Sequence, residues 1–169
     1  MINHQRFTYA EEWLQHAVAI LRENFLLAGY IVPKVHISIG FGIDGHKPNS
    51  KKNILAICYP KHISNEDMNE IFISPFLIDP VELIYVISHE LIHAVDDCRE
   101  SHNYKFKRIA KHIRHPDCGT LNDIELIQTD VLYRSIADEL GIFPRKGVKY
   151  QYGFNIPNHF YLERTLRYV

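Results

Sequence analysis

The segment from Val81 to Val95 carries apolar residues on nearly every side of a helix, interrupted by two histidines and a glutamate. A helix with this pattern is buried almost all round, so the rest of the chain must pack around it. His89 and His93 are four residues apart and would lie on one face, with Glu90 beside them. Burying these polar groups would cost roughly a few kcal/mol unless they were hydrogen-bonded or bound to a cation. The pattern therefore predicts a metal site on a buried helix.

The start of this helix is marked by residues that precede the apolar run. Asp79 has the acceptor side chain of an N-cap, Pro80 suits the first helical position, and Glu82 adds an acid to the first turn. We therefore expect the helix to begin at residue 80. Two neutral imidazoles bind zinc well, and a carboxylate beside them can deprotonate a metal-bound water. The H-E-x-x-H spacing is typical of that chemistry.

The elements before this helix predict an α+β fold. Apolar residues at helical spacing predict a first helix over residues 9–28, and Thr8 with Glu11 has the form of a capping box. Three segments have the composition or alternation of strands: residues 35–41, 53–59 and 70–74. Residues 64–67 could cap one helical turn between the last two strands. The third strand directly precedes the metal helix, so we expect its edge to be open for pairing with an extended peptide.

Two further helices are expected after the metal helix. The first, over residues 104–114, is amphipathic, with one apolar face and one basic face. The second runs from Thr120, as its N-cap, to Leu140, and Gly141 closes it. An aromatic-rich tail covers residues 145–169. We predict a single domain over residues 1–169, with its motif core at 79–115.

Composition narrows the class of protein. With 169 residues, 46% of them hydrophobic, the chain is long enough for one packed core. A formal net charge of −1 indicates neither a basic nucleic-acid arm nor an acidic tail. The three cysteines, at positions 58, 98 and 118, are odd in number and far apart, which favours a reducing cytoplasm over a disulfide framework. We expect no signal peptide and no membrane-spanning segment.

A catalytic zinc needs a third protein ligand. We favour His102, because the helical pattern breaks just before it and the chain can fold back over the metal helix. Asp97 lies one turn beyond His93, but its short side chain is better suited to orienting an imidazole. The other candidates are Glu100, His112, His115, Asp123 and Glu125.

Through these motifs the chain resembles the SprT-like metallopeptidase domain. That family combines H-E-x-x-H with a later His-Gly-x-x-Phe, and the pattern is matched by His89, Glu90, His93, His102 and Phe106. The resemblance covers residues 8–115 in element order, and its specific motif residues lie between 89 and 106. It implies a zincin-like fold, one zinc held by three histidines, and glutamate-assisted hydrolysis of peptide bonds. Eukaryotic members of the family resemble proteases that act on proteins crosslinked to DNA.

Two departures from the SprT-like pattern bear on function. Asn103 stands where the family usually has Gly, and Asn tolerates a left-handed backbone better than most residues. Many bacterial relatives carry a C-terminal zinc ribbon for nucleic acid, and no cysteine pairs are present to build one. The basic residues of the helix over 104–114 are the alternative nucleic-acid surface, although such a face is more often only solvated.

Other zincin subgroups fit less well. Aspzincins take an aspartate from Gly-Thr-x-x-Asp, which Gly119, Thr120 and Asp123 match, so Asp123 ranks second to His102. The metzincin spacing fails, because its third histidine would fall at Arg99.

The sequence thus predicts a cytoplasmic zinc metallopeptidase. His89, His93 and His102 would bind one zinc ion, and Glu90 would take a proton from the bound water and pass it to the leaving amine. Its partner would be a protein or peptide substrate, with nucleic acid as a further candidate. The alternative is a non-catalytic zinc-containing protein that binds nucleic acid or a host protein. No residue is assigned to the oxyanion, although Tyr104, Tyr133, His112, His115 and the tyrosines of the tail are candidates.

Overall fold

A computed structural model describes residues 6–42 and 55–146. The predicted loop beginning at Asp44 and nearly all of the aromatic-rich tail lie outside the described residues. Within the described ranges the chain is α+β, with four α-helices and one three-stranded mixed sheet. The helices are α1 (Ala10–Leu27), α2 (Pro80–Val95), α3 (Tyr104–His112) and α4 (Asp123–Leu140). The strands are β1 (Val35–Ile39), β2 (Ala56–Tyr59) and β3 (Asn69–Ile73).

The sheet has the order β1-β3-β2, so β3 is its central strand. β1 runs parallel to β3 and β2 antiparallel to it, and Ile37 and Cys58 both lie in register with Ile71. The prediction that β3 offers an open edge beside the metal helix is therefore wrong, because neighbouring strands take up both of its hydrogen-bonding edges. The strand at the edge on the α2 side is β2, and it contacts α2 directly.

Helix α2 is the centre of the molecule, as its apolar pattern predicts. It contacts β2, β3 and the other three helices. The Asp79 side chain caps it by accepting hydrogen bonds from the backbone N–H groups of Val81 and Glu82, at 2.9 Å each. Ten of its sixteen residues are buried, including Glu90 and Ser88. The Tyr133 hydroxyl on α4 donates to the Ser88 hydroxyl at 3.1 Å, which ties α4 to the back of α2.

Three predicted helix caps are shifted in the structure. The carboxylate of Glu12, not Glu11, accepts the backbone N–H groups at the start of α1. Asn122, not Thr120, caps α4, in a reciprocal capping box with Glu125. Between β2 and β3 the helical turn is a 3-10 turn at Lys61–Ile63, before the expected position. Glu12 and Asn122 offer capping chemistry similar to that of the predicted residues, and helix ends are uncertain by one or two residues from sequence.

Among the described residues, no helix is both long enough and apolar enough to cross a membrane.

Candidate metal centre

Three imidazoles converge at one point beside α2. His89 and His93 come from successive turns of α2, and His102 comes from the segment that leads into α3. One ring nitrogen of each lies within 4.8 Å of the others, and the Nε2 atoms of His89 and His102 are 2.9 Å apart. The ring centroids are 4.9–5.1 Å apart, so the three rings form a nearly equilateral triangle. The structure thus brings together the three residues that the sequence singles out as ligands.

The return of His102 depends on a tight turn after α2. Asp97 and Cys98 both adopt left-handed backbone conformations, each with φ 54°, and the Cys98 N–H donates to the His93 carbonyl at 2.9 Å. The Asp97 carboxylate accepts the backbone N–H of Lys61 at 2.9 Å, which anchors this turn to the segment after β2. Asp97 therefore holds the turn and does not orient an imidazole, contrary to the role favoured from sequence.

A single aromatic ring packs against all three histidines. Phe106, in the first turn of α3, is 3% exposed, and its ring centroid lies 4.9, 4.8 and 4.7 Å from those of His89, His93 and His102. Asn103 caps α3 by accepting the N–H of Lys105, at φ −87°. Position 103 therefore does not need a left-handed backbone. Asn103 serves as an N-cap, and its tolerance of the left-handed conformation is not used.

A second group of potential ligands shares His89. It consists of His89, His115 and Asp117, and Asp117 lies in a 3-10 turn (Pro116–Cys118) between α3 and α4. The hydrogen bonds assign it a supporting role. The Asp117 carboxylate accepts from His89 Nδ1 at 2.6 Å, which directs His89 Nε2 toward His102. The Tyr85 hydroxyl donates to the other oxygen of Asp117. A carboxylate that fixes the tautomer and ring orientation of a ligating histidine is a common companion of metal sites.

His115 is satisfied without a metal. It is fully buried, its Nδ1 accepts the Asp117 N–H at 3.2 Å, and its Nε2 lies 3.2 Å from the Tyr85 carbonyl oxygen as the matching donor. Both ring nitrogens are thus occupied. The group of His89, His93 and His102 is consequently the better candidate for holding an ion.

Electrostatics favour the ligating form of these histidines. Burial, together with the neighbouring imidazoles His89 and His102, lowers the pKa of His93 to about 4. Burial, and then the proximity of His89, also lowers the pKa of His102. These rings are neutral at pH 7, which is the state in which an imidazole binds a metal. Burial alone would raise the pKa of Asp117, but hydrogen bonds from His89 and Tyr85 bring it well below its usual range.

Glu90 directly follows His89 in α2 and is 6% exposed. Burial raises its pKa to about 7, although His89 and a hydrogen bond with the backbone of Cys58 on β2 act in the opposite direction. A carboxyl group with a pKa near neutrality exchanges protons readily at that pH. The edge strand β2 therefore contacts the one acid of the motif.

The donor set fits zinc. Three imidazoles match the donor composition of catalytic zinc sites, which keep a fourth position for water or substrate. With Zn–N distances of 2.0–2.1 Å, tetrahedral geometry separates ligand nitrogens by about 3.4 Å, so the 2.9 Å between His89 and His102 needs to open by roughly 0.5 Å. Exposed side chains such as that of His102 can make such an adjustment.

The remaining candidates lie elsewhere. Asp123 is exposed in the first turn of α4, and Glu125 serves the capping box there. The hydroxyl of Tyr30 contacts His112 Nδ1 at 2.7 Å, and Glu100 contributes a backbone hydrogen bond to His93. Of the tyrosines considered for the oxyanion, Tyr133 is buried against α2 and Tyr104 is 78% exposed.

The basic face of α3 is exposed at Lys107, Arg108, Lys111 and Arg114, whereas Lys105 pairs with Asp96. Nucleic-acid binding by this face stays a prediction.

Sequence reasoning missed two features of the site. Asp117 follows His89 by 28 residues and belongs to no motif that the sequence displays. Cys58 and Cys98 are 40 residues apart in the chain, but their sulfur atoms lie 3.2 Å from each other. The backbone of Cys58 is also hydrogen-bonded to Glu90. One sequence signal could have suggested the role of Asp117. Tyr85 and His89 are spaced to lie on one face of a helix, and Asp117 is an acid in a turn that contains Pro and Gly.

No protein-family model matches this chain, and no curated protein and no solved structure matches it.

Proposed function

We propose that this chain is a zinc metallopeptidase of the SprT-like type, which hydrolyses peptide bonds in protein substrates. The observation that carries the proposal is Glu90, a buried carboxyl group with a pKa of about 7 that directly follows His89, one of the three convergent imidazoles. A purely structural zinc site closes its coordination with a fourth protein ligand and has no need of a base. Among the described residues, no fourth ligand joins the group of His89, His93 and His102.

The three histidines would hold the zinc, and Asp117 would keep His89 in the tautomer that presents Nε2. When bound, zinc supplies Lewis acidity that lowers the pKa of a water molecule and polarises a carbonyl group. Glu90 would accept the proton of the attacking water and deliver it to the leaving amine. Burial raises its pKa above that of an ordinary carboxyl group, which favours a group that accepts a proton and then passes it on.

The test replaces Glu90 by an isosteric neutral side chain. Glu90→Gln should keep its zinc and its fold while hydrolysis of an unfolded protein such as casein falls by at least about 100-fold, the usual contribution of a general base. Glu11→Gln, in the exposed first turn of α1, is the matched control and should retain full activity. Activity of Glu90→Gln at the level of this control would refute the proposal. A zinc-loaded wild-type protein that hydrolyses no unfolded protein would instead favour the non-catalytic alternative.

A further inference from the structure

Two of the three cysteines face each other next to the candidate site. The Cys58 Sγ, on β2, lies 3.2 Å from the Cys98 Sγ, in the turn after α2. The Cys98 thiol also lies 3.4 Å from the Cys58 carbonyl oxygen. Both residues are partly exposed. Cys118 is buried in the turn before α4, where its sulfur accepts hydrogen bonds from Thr120.

The surrounding hydrogen bonds hold the two sulfur atoms together. Cys98 adopts a left-handed backbone with φ 54°, a conformation that residues with a side chain rarely adopt. The buried Asn69 side chain donates to the Tyr59 carbonyl at 3.1 Å and to the Asp97 carboxylate at 3.2 Å, and lies 3.9 Å from the Cys98 sulfur. The residue after Cys58 and the residue before Cys98 are thus bound to one side chain.

We propose that Cys58 and Cys98 form a reversible redox site, a dithiol that small-molecule disulfides oxidise to an intramolecular disulfide. The sulfur atoms are 3.2 Å apart and a disulfide bond is about 2.05 Å long, so closure needs roughly 1.2 Å of movement. The new bond would join the edge strand β2 to the end of α2. On the β2 side the bond would be made by Cys58, whose backbone is hydrogen-bonded to Glu90.

The exchange balances with one molecule of oxidant. The thiolate of Cys98 attacks a sulfur of the small disulfide, forms a mixed disulfide and releases one small thiolate. Cys58 then gives up its proton and attacks the Cys98 sulfur, and the second small thiolate leaves. Two protein thiols are oxidised, one disulfide is reduced to two thiols, and the two protons of the cysteines end on those thiols.

The test treats the folded, full-length protein with oxidised glutathione and then alkylates the remaining thiols under denaturing conditions. We expect two of the three thiols to be protected, a peptide pair linking residues 58 and 98, and a mass about 2 Da below that of the reduced chain. Dithiothreitol should restore all three thiols. Cys118→Ser should behave as the wild type, whereas Cys58→Ser and Cys98→Ser should stop at the mixed disulfide or not react.

Three results would overturn the redox site. They are a wild type whose three thiols all stay free, a wild type that stops at a mixed disulfide, and a link that involves Cys118 or a second chain. Circular dichroism of each variant separates loss of the reaction from loss of the fold. The assay needs neither zinc nor hydrolysis, so its outcome is independent of the proposed function. Zinc content should be unchanged in Cys58→Ser and Cys98→Ser, because neither sulfur belongs to the ligand group.

Discussion

Replacing Asp117 should weaken zinc binding without removing any ligand. Its carboxylate is 15% exposed and accepts a hydrogen bond from His89 Nδ1 at 2.6 Å. A hydrogen bond to a charged group contributes about 1.5–3 kcal/mol and one to a neutral group about 0.5–1.5 kcal/mol. Asp117→Asn keeps an oxygen acceptor but loses the charge, so the difference is about 1.4 kcal/mol, or tenfold in zinc affinity. Asp117→Ala removes the acceptor altogether and should approach the hundredfold loss that such supporting residues reach.

The affinities can be measured by competition for zinc with a chromophoric chelator at pH 7.5. Asp123→Asn makes the same chemical change at an exposed position in the first turn of α4 and should leave the affinity unchanged. It also tests the aspzincin alternative, in which Asp123 would be a ligand. Wild-type affinity in Asp117→Ala would refute the positioning role of Asp117. A loss in Asp117→Asn as large as that in His102→Ala would show instead that Asp117 is itself a ligand, through the second group.

The remaining predictions concern the ligand set and the turn after α2. His102→Ala should lose stoichiometric zinc, as judged by elemental analysis. His115→Gln should keep its zinc, even though this change at a buried residue lowers stability. The reverse pattern would show that the metal binds to the second group, His89, His115 and Asp117. Asp97→Ala should lower the free energy of unfolding by about 1 kcal/mol, because the Lys61 N–H loses a charged acceptor whose contribution is reduced by partial exposure to solvent. The Lys61 hydrogen bond also lowers the pKa of Asp97, so this contribution is present above its unfolded value of about 3.9 and is lost as pH falls through the lower folded value. The difference in urea unfolding between the variant and the wild type should therefore be larger at pH 7 than at pH 3.

The local features of this fold are those that sequence patterns predict well. Asp79 and Pro80 mark the start of α2, and the apolar run predicts that this helix is buried on nearly all sides. Gly141 ends α4 at a positive φ of 76°, as expected for a C-terminal glycine. These signals act over one or two turns of chain, so the residues alone are sufficient to read them.

Strand order was not readable in the same way. All three strands were expected and all three are present in the described residues: β1 and β2 are shorter than predicted, and β3 begins and ends one residue earlier. Order in the chain suggested that β3, which directly precedes α2, would be the exposed strand. The parallel pairing of β1 with β3 instead leaves β2 to add at the other side. Pairing between strands is set by contacts across the sheet, on which hydrophobic alternation within one strand carries no information.

The recruitment of His102 shows how a short motif can encode a packing requirement. The three imidazoles need one rigid surface to hold them at similar distances, and the Phe106 ring supplies it from the first turn of α3. His102 directly precedes the N-cap of α3 and Phe106 lies in its first turn, and both rings pack against those of His89 and His93 on α2. Asn103 caps the N-terminus of α3, and the left-handed turn at Asp97 and Cys98 brings the chain back over His93. The spacing His-x-x-x-Phe thus corresponds to the way in which the site is assembled. Its presence in the sequence is stronger evidence for a third ligand than an isolated histidine would be.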